Sequence, residues 1–172
     1  LTLSDGTKIE NPRELRKGAG RLAQAQRSGK KKLVARIQER QANRRRDRNH
    51  KISRWIVENY KTIYYSDDNF KAMAKRFGKS ISESALGNLI GMMNYKGRIG
   101  GREVRAINSF RTTMTCSTCG ALTGPTGLGG LAVRYWICSA CGALHDRDIN
   151  SAKVVFNIGL GISHEGTKRR VA

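Results

Sequence analysis

The chain has 172 residues, with 33 Lys and Arg against 13 Asp and Glu, a net charge of +20 and an isoelectric point near 10.6. A chain of this length buries one moderate core with a small satellite, and no apolar run nears the ~20 residues that span a bilayer, which excludes a helical membrane protein. Such an excess of cations points to a polyanionic partner, nucleic acid before a membrane surface.

The opening Leu1-Thr2-Leu3-Ser4-Asp5-Gly6-Thr7-Lys8-Ile9 reads as a strand, a turn at Asp5-Gly6 and a second strand. It begins on Leu1 and not on Met, so the expectation is a start inside a domain, with a partner strand before it. Sixteen Lys and Arg then face three acids (Glu14, Glu39, Asp47) between Arg13 and Arg54, a net of about +13. The pattern is helical, starting at Asn11-Pro12 and broken at Ser28-Gly29. Leu15, Leu22, Leu33 and Ile37 form a thin apolar stripe that Ile52, Trp55 and Ile56 resume, and between residues 38 and 51 almost nothing suits burial. Charge runs are often solvated faces, but Lys30, Lys31, Lys32 and Arg44, Arg45, Arg46, with Arg48 and Lys51 beyond, are one-signed. Like charges at helical spacing repel without a counter-charge, so phosphate contact is the expectation, weakening steeply with salt.

Residues 61–65 form a β-prone run that ends in Ser66-Asp67-Asp68-Asn69. Acids at a strand end suit magnesium, and equally a turn or the cap of the next helix. A serine-capped helix is expected over residues 82–96, burying Leu86, Leu89, Ile90 and Met93. Residues 97–101 end it, and residues 103–107 read as another strand.

All four cysteines follow: Cys116-Ser117-Thr118-Cys119, eighteen residues, then Cys138-Ser139-Ala140-Cys141, with Gly120 and Gly142 after the pairs. Duplicated Cys-x-x-Cys turns aim four soft ligands at one point, which predicts structural zinc. Four thiolates also suit an iron–sulfur cluster. Disulfides lack any sign of a secretory leader, and a redox pair would come singly. A closed shell leaves no open position for catalysis, and His145 reads as an ordinary polar residue. Tyr135 and Trp136 either pack the loop or, with Arg134, meet a nucleic acid. Thr112 and Thr113 are weaker phosphate candidates. Residues 150–158 read as a helix, followed by a basic, disordered tail.

Five stretches carry a resemblance: Leu3-Ser4-Asp5-Gly6 with Asn11-Pro12-Arg13, His50-Lys51-Ile52-Ser53, Asp67-Asp68-Asn69-Phe70-Lys71-Ala72-Met73, the paired cysteines, and Asp146-Arg147-Asp148-Ile149-Asn150-Ser151-Ala152. In these, and in their order, the chain resembles the C-terminal half of TnpB proteins, transposon-encoded RNA-guided nucleases related to type V CRISPR effectors. The resemblance implies an α/β fold: an RNase H-like, RuvC-type domain with a long basic helical arm and an inserted four-cysteine zinc ribbon. It places the core at residues 1–111 with the arm at about 13–60, the ribbon at 112–145, the last RuvC motif at 146–160 and a tail at 161–172. In the family three carboxylates hold two magnesium ions that activate water against a phosphodiester.

The first of these carboxylates belongs before Leu1, in an N-terminal part absent from this chain, and the third corresponds to Asp148. The second, a glutamate, aligns with Ser66, followed by Asp67 and Asp68. A serine lacks the charge a bridging ligand needs, and the neighbouring aspartate points to the other strand face. The resemblance therefore implies guide RNA and target DNA as partners, a prokaryotic, cytoplasmic and nucleoid-associated protein, and binding or repression without cutting. Arg134 and Arg147 join the nucleic-acid contacts. One alternative is an active magnesium-dependent endonuclease using Asp67 or Asp68 with Asp148. Another is a ribosomal-type zinc-ribbon RNA-binding protein.

Overall fold

A computed structural model describes residues 1–162, and the expected basic tail lies outside the described residues from residue 163 onward. The described chain is of mixed α/β content and falls into two compact units, one of residues Asn11–Ile63 and Asn69–Val104, the other of Leu1–Glu10, Tyr64–Asp68 and the chain from Arg105.

The first unit is helical. Helices α1 (Glu14–Arg27) and α2 (Lys31–Asn59) are separated at Ser28–Gly29 as the sequence suggests, with Gly29 at φ +64°, a conformation that a Cβ would disfavour. Helices α3 (Phe70–Ser84) and α4 (Leu86–Ile99) follow. The core joins Ile56 and Val57 of α2 with Leu89 and Met93 of α4 and Ile63, flanked by Ile52, Leu86, Ile90 and Val104. The four apolar residues expected on α4 therefore do face the core, as does Met92.

The helix expected over residues 82–96 is corrected at its start. Residues 82–84 end α3, and Ala85, at φ +48°, turns the chain into α4 without a side-chain cap. At this junction α2 supplies donors to the carbonyls that end α3 and to that of Ala85, which also accepts the first backbone bond of α4 from Leu89 N at 3.1 Å. Arg45 donates to Ser82 O (2.6 Å), Arg48 to Ser84 O (2.9 Å) and Asn49 to Ala85 O (3.0 Å). Cations at a helix C-terminus are also favoured by its dipole. Opposite them the buried Glu83 pairs with Arg16 at 3.4 Å. Residues 38–51 thus do bury side chains, Gln41 and Asn49. Both are polar, and Asn49 is held by hydrogen bonds with Arg48 and Ala85 O, which hydrophobic periodicity cannot reveal.

The second unit opens with the expected hairpin, closed by a Thr2–Lys8 bridge and a turn with Gly6 at φ +94°. Strands β1 (Thr62–Ser66) and β2 (Glu103–Ile107) pair with each other, each with its first two residues in the first unit and the rest in the second. Glu103 N donates to Lys61 O, and Asp67 N to Ile107 O. Both indices rise together, so the strands run parallel. Strands β3 (Tyr135–Ile137) and β4 (Leu144–Asp146) form an antiparallel ribbon that leads directly into α5 (Arg147–Gly159). Helix α5 buries Val154 and Val155, and its Gly159 lies so close to the Tyr64 ring that a Cβ there would overlap it. Arg105 stacks on the same ring, 5.0 Å from its centroid, and donates to Gly159 O at 2.6 Å. No helix among the described residues is long and apolar enough to cross a membrane.

Leu89 is 3% exposed and central to the helical core, so Leu89→Ala should lower stability by about 2–5 kcal/mol through lost burial and a residual cavity. A urea titration followed by far-UV circular dichroism measures this, and a loss below about 1 kcal/mol would contradict the assigned core.

Candidate metal centre and the strand-end acids

Two loops of the same construction make the centre. Cys116 N and Cys138 N donate to Ala121 O and Ala143 O, both at 2.9 Å, while Gly120 N and Gly142 N donate back to the two cysteine carbonyls at 2.9 and 2.8 Å. Each glycine has positive φ, +80° and +73°, where a side chain would be strained. The four Sγ atoms come within 4.8 Å of one another, with Cys116–Cys141 at 3.8 Å and Cys119–Cys138 at 3.7 Å. Disulfides need ~2.05 Å, whereas thiolates ~2.3 Å from a tetrahedral ion lie roughly 3.8 Å apart. The donor set therefore fits a single ion such as zinc, and the space between the sulfurs is too small for a multi-iron cluster.

Electrostatics agree with that fit. The Thr123 hydroxyl donates to Cys138 at 3.1 Å and brings its thiol down to about 6. The Ala143 amide acts to lower Cys141 as well, but the thiols of Cys119, Cys138 and Cys116 push it up to about 12. Four sulfurs this close shed all their protons only when a cation takes up the charge.

His145, expected to be an ordinary polar residue, is corrected by its surroundings. It is buried, its Nε2 lies 3.1 Å from Cys116 Sγ, and its ring sits 4.7 Å from that of Trp136. Burial, with Lys153 nearby, holds its pKa below the usual histidine value. Trp136 packs inward with Cys116 and Cys138, while Tyr135 stays two-thirds exposed. Thr112 is buried too, its hydroxyl donating to Ser109 O. Asn150 on α5, named in the sequence only as part of a motif and given no role, is 1% exposed, and its side chain accepts from Ser117 N (2.9 Å) and donates to Thr115 O (2.8 Å). It holds the first cysteine loop against the helix. Its signal was present in the Asp-Arg-Asp-Ile-Asn motif, but nothing local distinguished it from a solvent-facing amide.

The two aspartates of that motif have different surroundings. Asp146 caps α5, accepting from Asp148 N (3.0 Å) and Ile149 N (3.1 Å), and takes a 2.6 Å bond from Lys8. The Lys8 ammonium, followed by the helix amides, holds its carboxyl below the usual range. Asp148 is half exposed, 3.8 Å from Arg134. Arg147 donates to Leu131 O. At the end of β1 the Ser66 hydroxyl donates to Asp68 Oδ2 (2.7 Å), Asp67 Oδ1 accepts from Ser109 N (3.0 Å), and Asn69, not an acid, caps α3. Among the described residues Asp67, Asp68 and Asp148 do not gather into a group able to share an ion; the cysteines do.

The basic candidates separate in the same way. Lys30, Lys31, Lys32 and Arg46 are exposed. Arg44 pairs with Glu14 and Lys51 with Asp47, while Arg45 and Arg48 are bound to the α3–α4 junction.

Residues 87–155 match the family model "Cas12f1-like, TNB domain". A Streptomyces pristinaespiralis protein named "Putative RNA-guided DNA endonuclease" is 36% identical over 178 residues, covering 95% of this chain and 43% of that protein. TnpB-like proteins of Acanthamoeba polyphaga mimivirus are 29% identical over 143 residues, 76% of this chain and 26% of theirs. The chain thus spans less than half the length of these relatives. A chain from the cryo-EM structure of the Cas12f1-sgRNA-target DNA complex shares the fold, with a TM-score of 0.63 over 88% of this chain and 43% of that one at 20% identity.

Asp146→Ala should cost about 1 kcal/mol at neutral pH through loss of the cap. A carboxyl lowered in the folded state contributes stability above its ordinary pKa of 3.8 and loses it as pH falls through the lowered value. The gap between variant and parent melting temperatures should therefore close below about pH 4, and a gap constant down to pH 2 would contradict the assignment.

Proposed function

From the premise that the chain belongs to the TnpB family, we propose that it is the RuvC-type, zinc-ribbon portion of an RNA-guided DNA-binding protein that binds its target without cutting. Base pairing with a guide RNA would read the sequence, while the protein holds backbones through charge. The observation that carries this reading is Ser66. It closes β1 where the family places a glutamate, and its neutral hydroxyl is spent on Asp68. Asp67 in turn accepts an amide from the segment after β2.

Two-metal phosphodiester cleavage needs carboxylates that bridge or flank magnesium, because the ions must neutralise both the attacking and the leaving oxygen. With one carboxylate replaced by a hydroxyl, Asp148 lacks a co-ligand for the ions, although it is itself half exposed and only loosely paired with Arg134. Zinc, held by Cys116, Cys119, Cys138 and Cys141, supplies structure only, since four protein ligands close its shell. The competing reading, an active endonuclease with Asp67 or Asp68 in place of the glutamate, rests on Asp148 being half exposed.

Two measurements decide between them. The full-length protein with its own guide RNA should bind a matching DNA duplex and leave it intact in magnesium, and Ser66→Glu in that protein should bring cleavage up from background. Efficient cutting by the parent protein that Asp148→Ala abolishes would establish the nuclease instead. Elemental analysis should find one zinc per chain, with Cys116→Ser losing it and melting at a lower temperature. A protein that is metal-free yet unchanged in stability would refute the zinc ribbon.

A further inference from the structure

The helical unit contains a groove between α1 and α2, with a cavity volume of about 450 Å³. Helix α1 lines it with Lys17 and Arg21, and α2 with Arg36 and Arg40. Each pair is four residues apart, hence on one helical face and roughly 6 Å apart along the axis. Ile37 and Gln41, both buried, lie between the two rows. Gly18 permits this approach, because a Cβ there would run into the Gln41 amide. Arg36 also borders two neighbouring depressions, one shared with Lys30, Lys31 and Lys32, the other with Arg40 and Arg44 together with Glu39 and Asp47.

The charges of this groove stand apart from the rest of the arm. Arg44, Lys51 and Arg54 are matched by Glu14, Asp47 and Glu58, and Arg45 and Arg48 are taken up by carbonyls. Lys17, Arg21, Arg36 and Arg40 are exposed and have no carboxylate partner among the described residues. Like charges one turn apart work against both helices, so the arrangement calls for an external anion. Glu14 also lines the groove but is paired with Arg44 at 3.1 Å, which leaves a net excess of positive charge along the walls. A concave site with such an excess concentrates potential, and three of the four cations are arginines, whose guanidinium forks match phosphate oxygens. Continuity with the triple lysine favours a repeating anion over a single phosphate.

We propose that the α1–α2 groove is a cleft for a phosphodiester backbone, gripped by Lys17, Arg21, Arg36 and Arg40. None of these residues is among the basic candidates that the sequence singled out. The inference rests on the nucleic-acid-binding function above and assigns it a location.

The test compares two quadruple variants of equal net charge by fluorescence anisotropy across a salt series, with labelled single-stranded RNA and labelled duplex DNA of unrelated sequence as probes. One is Lys17→Gln, Arg21→Gln, Arg36→Gln, Arg40→Gln; the control is Lys61→Gln, Lys71→Gln, Lys75→Gln, Arg98→Gln, all exposed positions outside the groove. The groove variant should bind on the order of tenfold or more weakly, with the slope of log K against log salt reduced by about 3, while the control changes much less. The double variant Arg36→Gln, Arg40→Gln should lose about half that slope, which separates the effect from misfolding. A loss confined to RNA identifies the backbone as RNA, and one confined to DNA identifies it as DNA. Equal losses in groove and control variants, or none, overturn the groove while leaving the function intact. A parent protein that binds neither probe overturns both.

Discussion

Four thiols held within 4.8 Å of one another impose the requirement on which the second unit depends: the charge they carry as ligands has to be neutralised where it is created. A polypeptide of this size could not hold such a cluster by packing alone, since the surrounding core consists of little more than Trp136, Ala121 and Val133. The hydrogen bonds around the sulfurs suit a cluster that could hold a metal ion. Thr123 donates to Cys138, and His145 sits against Cys116. Groups beyond the ligands commonly orient and stabilise thiolates in this way. The strand that brings His145 to the sulfur also carries Asp146, so one three-residue element links the surroundings of the cysteine cluster to the cap of α5.

From there the order is relayed outward. Asn150 ties α5 to the first cysteine loop, Lys8 ties the N-terminal hairpin to the α5 cap, and Arg105 with Tyr64 closes the other end on Gly159. Each of these contacts joins segments more than thirty residues apart. A disruption of the cysteine cluster would therefore be felt first at the cysteine loops and next at the position of Asp148, because both are attached to the same helix.

Features that depend on neighbours in sequence were legible, and features that depend on distant partners were not. The break at Gly29, the hairpin turn at Gly6 and the cysteine loops with their glycines each announce a local backbone need. The α3–α4 junction carries no such mark: Ala85 takes a left-handed conformation with neither glycine nor proline to signal it, and the serines before it resemble a cap they do not form. What makes the junction tolerable is the set of donors from α2, which lie 36 or so residues earlier. The same blindness affected the basic arm. Composition showed the excess of cations correctly, but could not separate Arg45 and Arg48, which are spent on carbonyls, from Arg36 and Arg40, which face a groove.

The two aspartates of Asp146-Arg147-Asp148 show how environment divides identical side chains. Asp146 accepts two helix amides and the Lys8 ammonium, so its lone pairs are committed and its carboxyl is held ionised for structural reasons. Asp148 lies in the first turn of α5, at the positive end of its dipole, half exposed, with only a 3.8 Å approach from Arg134. An exposed pair at that distance contributes little stability, so substituting Asp148 would cost the fold almost nothing. A residue placed at low structural cost on a helix start that favours negative charge is free to serve a ligand. Retention of the fold therefore does not by itself explain Asp148, whereas it fully explains Asp146.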